Sequence, residues 1–312
     1  MKITATFIDE ISHDIPHQNW GKYEWDADFS HMKMIGIDTV IIIRSGYRRW
    51  LTYPSNVLIK EEGCYKPPVD LIKLFLELAD KHHMNFYFGL YDSGKYWVSG
   101  KFQEEVDLNR KVIDEVWATY GHHKSFKGWY LTQEVSRRVK GVIELYAQLG
   151  NHCKGVSNNL PTFISPWIDG SKAVSAASTS ISKDDAVSIK QHEDEWSEIF
   201  DGIKNSVDAV AFQDGHIEYH ELPTFFEVNK RMADKYGLKC WTNAETFDRD
   251  MPIKFLPIKF EKLRLKLEAA RKAGYDKAIT FEFSHFMSPQ SSYISAAHLY
   301  ERYKEYVKML PR

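Results

Sequence analysis

Apolar runs of strand length alternate with longer stretches of helical period along this chain. Eight runs rich in β-branched and aromatic residues read as strands: Ile3–Asp9, Thr39–Arg44, Asn85–Asp92, Gly128–Glu134, Thr162–Trp167, Ala209–Asp214, Lys239–Glu245 and Ala278–Glu282. Between them, apolar positions recur at helical spacing over Val69–His83, Glu104–Tyr120, Val139–His152, Pro223–Tyr236, Phe260–Ala273 and Ser292–Met309. Gly150, Gly237 and Gly274 follow helical runs, where a C′ glycine closes a helix. Repeated strand–helix alternation predicts a parallel sheet covered by helices, and eight units predict one (β/α)₈ barrel over residues 1–312. The segment 169–191, rich in Ser, Ala, Lys and Asp, follows the fifth strand. It is expected as a long loop at the strand C-terminal face, either a lid or a surface excursion.

Barrels of this kind place their chemistry at the C-terminal ends of the strands. Those ends carry Asp9, Arg44, Tyr91 with Asp92, Gln133 with Glu134, Trp167, Gln213 with Asp214, Asn243 with Glu245, and Glu282 with His285. A polar strand end can simply meet solvent, but functional groups on every strand point to one shared cleft. Glu134 and Glu245 end the fourth and seventh strands, roughly opposed across the ring. Two carboxyl groups flanking a glycosidic bond are what its hydrolysis needs: one protonates the leaving oxygen, the other attacks or supports the anomeric carbon. The opposing reading is a pair of surface or ion-paired glutamates.

Composition narrows the ligand class. A formal net charge of -2 supplies no basic field for nucleic acid or an anionic membrane. No stretch approaches the ~18 apolar residues of a membrane span. Aromatic residues make up 14% of the chain, which leans towards a carbohydrate partner because aromatic faces stack on sugar C–H faces. Cys64, Cys153 and Cys240 lie far apart and odd in number, with no disulfide framework or cluster spacing. The opening Met-Lys-Ile-Thr-Ala-Thr-Phe-Ile-Asp reads as a strand and not as a signal peptide, which fits a cytoplasmic protein or a secreted one whose signal has been removed. Nothing in the pattern specifies an oligomeric state.

The motifs Phe-Ile-Asp (7–9), Met-Ile-Gly-Ile-Asp-Thr-Val-Ile-Ile (34–42), Gly-Trp-Tyr-Leu-Thr-Gln-Glu (128–134), Val-Asp-Ala-Val-Ala-Phe-Gln-Asp-Gly (207–215) and Trp-Thr-Asn-Ala-Glu-Thr-Phe (241–247) span nearly the whole chain. Through them it resembles a bacterial family of glycoside-hydrolase-like barrels known as a domain of unknown function, DUF4434. The placement of Glu134 and Glu245 is similar to that in the clan of retaining glycosidases with an acid/base on strand four and a nucleophile on strand seven. That resemblance implies Glu134 as acid/base and Glu245 as nucleophile. Asp9, Arg44, Tyr91, Gln133, Trp167, Gln213, Asp214, Asn243 and Glu282 are then expected to bind sugar hydroxyls or orient the acids. Clan members usually carry Asn before the strand-four Glu; this chain has Gln133.

Two rival readings stand beside the glycosidase. One is a carbohydrate-binding barrel without catalysis, distinguished by whether Glu134 and Glu245 both face the cleft at catalytic separation, about 5–5.5 Å for retention or about 6.5–9.5 Å for inversion. The other is a metal-dependent barrel hydrolase, for which His216 and His220 at i, i+4 are the nearest ligands and no complete set is visible, so no metal is assigned. Cofactor signatures are absent: there is no GxGxxG, GxxxxGK[ST] or GxSxG.

Overall fold

The computed structural model describes residues 1–12, 15–172, 186–249 and 255–310. Eight strands pair side by side: β1 (Ile3–Ile8), β2 (Thr39–Ile42), β3 (Asn85–Gly89), β4 (Phe126–Tyr130), β5 (Thr162–Ile164), β6 (Ala209–Gln213), β7 (Lys239–Asn243) and β8 (Lys277–Thr280). They close in the order β1-β8-β7-β6-β5-β4-β3-β2, every pairing parallel. The chain is therefore a (β/α)₈ barrel. Strands that are apolar on both faces require this, because one face fills the ring and the other meets helices.

Inside the ring lie Ala5, Phe7, Ile41, Ile43, Tyr130, Phe163, Ala209, Ala211 and Ile279. Small alanines opposite large rings let the aromatics interlock: Tyr130 stacks on Phe163 with centroids 4.8 Å apart and meets Phe7 edge-on at 5.1 Å. Outside, the strands pack on α1 (Lys22–Met34), α3 (Leu71–His82), α4 (Phe102–Tyr120), α5 (Val142–Val156), α6 (Ile189–Ile203), α7 (Leu222–Tyr236), α8 (Phe260–Lys272) and α10 (Ile294–Met309). Short helices α2 (Asn56–Glu62) and α9 (Phe283–Phe286) lie in the loops after β2 and β8.

Helix ends follow local chemistry. Asp70 caps α3 by accepting from the Lys73 N–H at 2.9 Å, and Gly237 and Gly274 take positive φ beyond α7 and α8, as expected. Several expectations need correction. The strands end one to four residues before the sequence pattern suggests, so most of the polar groups sit on the loops just beyond the ladder, while Gln213 and Asn243 are the last residues of β6 and β7. Tyr91–Asp92 leaves the barrel and joins a small sheet with Gly46–Tyr47 and Trp50–Leu51. The expected loop at 169–191 is in part helix: α6 begins at Ile189, capped by the Ser188 hydroxyl, while 173–185 lies outside the described residues.

Gly150 is not a helix terminus. It sits inside α5, where a Cβ would lie 2.3 Å from the Ser206 carbonyl oxygen, so its bareness lets α5 touch the turn before β6. Alanine at this position should gain about 1 kcal/mol of helix propensity. Pushing α5 off a backbone carbonyl should cost about 1–3 kcal/mol, and the clash should win. Gly150→Ala is thus expected to lower the thermal midpoint by a few degrees in calorimetry; a raised midpoint would contradict this packing.

Candidate active site

At the C-terminal face the strand ends enclose a cleft of about 300 Å³. Its wall includes Asp9, Arg44, Asp92, Glu134, Trp167, Gln213, Asn243, Glu245 and Arg249, with apolar surface from Ile15, Ile43, Phe247, Phe255 and Phe281 and polar edges from Ser12 and Tyr47. Both glutamates singled out from the sequence face this one space.

Glu134 stands above the barrel interior. Its Oε1 accepts from the Tyr130 hydroxyl at 2.6 Å, so a ring locked in the core fixes the carboxyl group. Its Oε2 lies 4.0 Å from Arg44 Nη2, and 25% of the side chain stays open to the cleft. Arg44 is shared. Its Nε approaches Asp92 at 3.4 Å, its Nη1 donates to the Ser12 hydroxyl at 2.9 Å, and Asp9 adds a further carboxylate that keeps the guanidinium charged. Burial pushes Glu134 above the ordinary carboxylate range; Arg44 and Tyr130 oppose the shift, and Asp92 adds to it.

Glu245 sits in the opposite setting. Arg249 donates through Nη2 to Oε1 at 2.8 Å and through Nε to Oε2 at 3.0 Å, a bidentate fork. Burial alone would raise this carboxyl group, but Arg249, with Lys266 behind it, holds it below the ordinary range. Lys266 forms a buried pair with Asp214 at 2.7 Å, and Asp214 in turn accepts from the Glu245 N–H at 3.2 Å. Burial and the cations Arg249 and Lys172 lower His216 to about 4, so it is neutral at pH 7, its ring 5.2 Å from that of Trp167.

Gly215 makes room for the fork. A Cβ there would lie 2.0 Å from Glu245 Oε2 and 2.5 Å from Arg249 Nε. Its φ is not positive, so the requirement is space and not a left-handed turn.

Four buried atoms of wall residues have no hydrogen-bond partner among the described residues: Asp9 Oδ2, Asn243 Oδ1, Trp167 Nε1 and Arg44 Nε, the last lying 3.4 Å from an Asp92 oxygen. Two accept and two donate, which suits a ligand whose groups do both, as hydroxyls do. Asn243 is aimed by its amide donating to Ser165 Oγ at 3.0 Å, and Gln213 by donating to the Ser165 carbonyl at 2.8 Å.

Four of the residues expected to touch ligand stand behind the wall. Tyr91 is buried and donates its hydroxyl to the Arg48 carbonyl at 2.6 Å. Gln133 donates to the Tyr91 carbonyl at 2.9 Å and to Glu105 Oε1 at 3.0 Å, on α4. Asp214 is held by Lys266, and Glu282 caps α9 by accepting from the Ser284 and His285 N–H groups while pairing with the His285 ring. The position where the clan carries Asn is thus a structural strut here. Arg249 and Tyr47 were not anticipated, and Asp92 was seen at its strand end but not selected. A cation four residues after Glu245 was the available signal for Arg249. Among the described residues no group of three or more His, Cys, Asp or Glu side chains is placed to hold a metal ion, and no helix is long and apolar enough to cross a membrane.

Gly215→Ala should displace the Glu245–Arg249 fork while leaving the barrel closed. The expected signature is an unchanged circular dichroism spectrum with loss of whatever ligand response the cleft shows; a crystal structure with the fork undisturbed would refute it.

The sequence profile of the family described as "Domain of unknown function (DUF4434)" matches residues 3–293. A crystal structure from Bacteroides thetaiotaomicron VPI-5482, described as a "putative alpha-L-fucosidase", is 65% identical, covers 99% of this chain and 96% of its own, and superposes with a TM-score of 0.94. An endo-1,4-beta-D-mannanase from Thermotoga petrophila RKU-1 shares the fold at 11% identity, covering 99% of both chains with a TM-score of 0.57. An intracellular xylanase from Thermoanaerobacterium saccharolyticum JW/SL-YS485 does so at 12%, covering 87% of this chain and 90% of its own at 0.50. No curated protein matches the chain.

Proposed function

This chain belongs to the DUF4434 family, and we propose that it is a retaining glycoside hydrolase with Glu134 as acid/base and Glu245 as nucleophile. The observation that carries the reading is the contrast between the two carboxyl groups in one cleft: burial favours the protonated form of Glu134, and the Arg249 fork favours the anion of Glu245. Environments that push two carboxyl groups apart assign acid and base roles.

In the first step the Glu134 proton passes to the glycosidic oxygen as that C–O bond breaks. A Glu245 oxygen forms an ester to the anomeric carbon, and the leaving group departs as an alcohol. In the second step the Glu134 carboxylate takes a proton from water. The water oxygen bonds to the anomeric carbon, and Glu245 leaves as a carboxylate. Asp9, Asn243, Trp167 and Gln213 would bind the hydroxyls of the sugar between the two acids. The similarity to the Bacteroides thetaiotaomicron protein makes an α-L-fucoside the first substrate to try, within a panel of 4-nitrophenyl glycosides.

Glu245→Gln should abolish turnover of the substrate found in that panel, and Glu134→Gln should slow it by about 10²–10⁴-fold for a poor leaving group. Full activity in either variant would refute the assignment. Proton NMR of the first-formed product should show the anomeric configuration of the substrate.

The pH profile has a definite sign. Activity needs Glu134 protonated and Glu245 ionised, so the rate should fall as pH rises through the raised Glu134 value and as it drops through the lowered Glu245 value. Arg44→Gln removes the cation that favours the Glu134 anion, and the alkaline limb of kcat/KM should move to higher pH. A shift to lower pH would contradict the charge arrangement.

A further inference from the structure

Beside the cleft, the small sheet carries aromatic surface that the hydrolytic step does not use. Tyr47 in the cleft wall lies directly across the hairpin from Trp50, so their side chains share one face. Trp50 is 63% exposed, and its ring lies 5.0 Å from that of Tyr65, itself 46% exposed. The Arg49 guanidinium covers Tyr65 at 4.3 Å. Aromatic surface thus runs from the cleft outwards through Tyr47, Trp50 and Tyr65.

The strip is held in place before any ligand arrives. Tyr65 N–H donates to the Arg49 carbonyl at 2.8 Å, Arg49 Nε donates to the Gly63 carbonyl at 2.9 Å, and the buried Tyr91 hydroxyl holds the Arg48 carbonyl at the turn. A rigid aromatic ledge loses little entropy on binding. Its side of the cleft is also fixed: Arg44 lies 4.0 Å from Glu134 and 5.6 Å from the Tyr47 ring. A general acid faces the leaving oxygen, so the ledge extends from the leaving-group side.

We propose that Trp50 and Tyr65 form an outer subsite that stacks sugar rings of the leaving group, making the substrate an oligosaccharide whose terminal unit enters the cleft. The proposal rests on the glycosidase reading for its direction. The cleft, of about 300 Å³, is at the small end for a ligand site, and the ledge continues beyond it where further rings of a longer glycan would lie.

The test uses the full chain with Glu134→Gln to slow turnover, probed on an array of mono- to hexasaccharides. Binding should favour three or more sugars over one, and Trp50→Ala or Tyr65→Ala should each weaken binding of the longer glycans by about 3- to 10-fold. Trp50→Phe should restore most of that loss. Absence of a length preference, a preference untouched by Trp50→Ala, or no glycan binding at all would overturn the subsite. So would concentration-dependent self-association that Trp50→Ala removes, because the face would then be a protein contact. The aryl-glycoside assay separates the two readings. Turnover without a ledge effect leaves the glycosidase standing alone, and a ledge effect without turnover by the unmodified protein leaves the subsite standing alone.

Discussion

The fork between Arg249 and Glu245 is the contact on which the rest of the site depends. A carboxylate buried this deeply would take up a proton unless a cation met it closely, and the guanidinium meets both oxygens. The neighbours follow from that need. Gly215 carries no side chain because one would occupy the space of the pair, and Asp214 turns away to Lys266 instead of adding charge to the cleft. Neutral His216 packs beside them. Each of these residues makes sense only with the pair in place.

Glu134 shows the converse arrangement built from the same residue types. A unit pair at 4 Å near a protein surface is worth about 4 kcal/mol, which by itself would favour its ionised form strongly. Yet Arg44 also faces Asp92 and Asp9, so the field at Glu134 is one cation among carboxylates. At Glu245 it is two cations, Arg249 and Lys266, against one carboxylate, Asp214. Burial raises both glutamates; the bidentate Arg249 fork with Lys266 overcomes it at Glu245, whereas the more distant, shared Arg44 does not at Glu134. The Tyr130 hydroxyl orients Glu134 without neutralising it, and it can do so because its ring is wedged between Phe7 and Phe163 inside the barrel.

The barrel was legible in the sequence because parallel strands buried on two faces leave short, continuous apolar runs that little else produces. The two cleft glutamates were legible for the same reason, since the runs define where strands end. Gly150 was misread because a glycine near a helix end looks alike whether it turns the chain or admits a neighbouring carbonyl. Tyr47 and Arg249 were not read because neither ends a barrel strand: each stands on a loop whose path depends on contacts made elsewhere. The small sheet that carries Tyr47 is a hairpin that Tyr91–Asp92 joins as a third strand after leaving the barrel.

The placement of the remaining expected residues has a single geometric cause. Side chains alternate along extended chain, and that alternation persists past the last ladder bond. Asp92 faces the cleft while Tyr91 turns back to the Arg48 turn, its backbone held by Asn109 of α4. Glu134 faces the cleft while Gln133 reaches Glu105 of α4, and Gln213 faces it while Asp214 reaches Lys266 of α8. In each adjacent pair one residue lines the cleft and the other ties the strand end to surrounding structure, in two cases to a helix behind. Counting polar residues at strand ends therefore counts the struts together with the wall. The struts are polar because a loop leaving a barrel has buried backbone groups to satisfy, which a hydrophobic side chain could not do. A polar pair at the end of a barrel strand thus marks one cleft-facing position, and the member on the other side of the chain marks what keeps that position still.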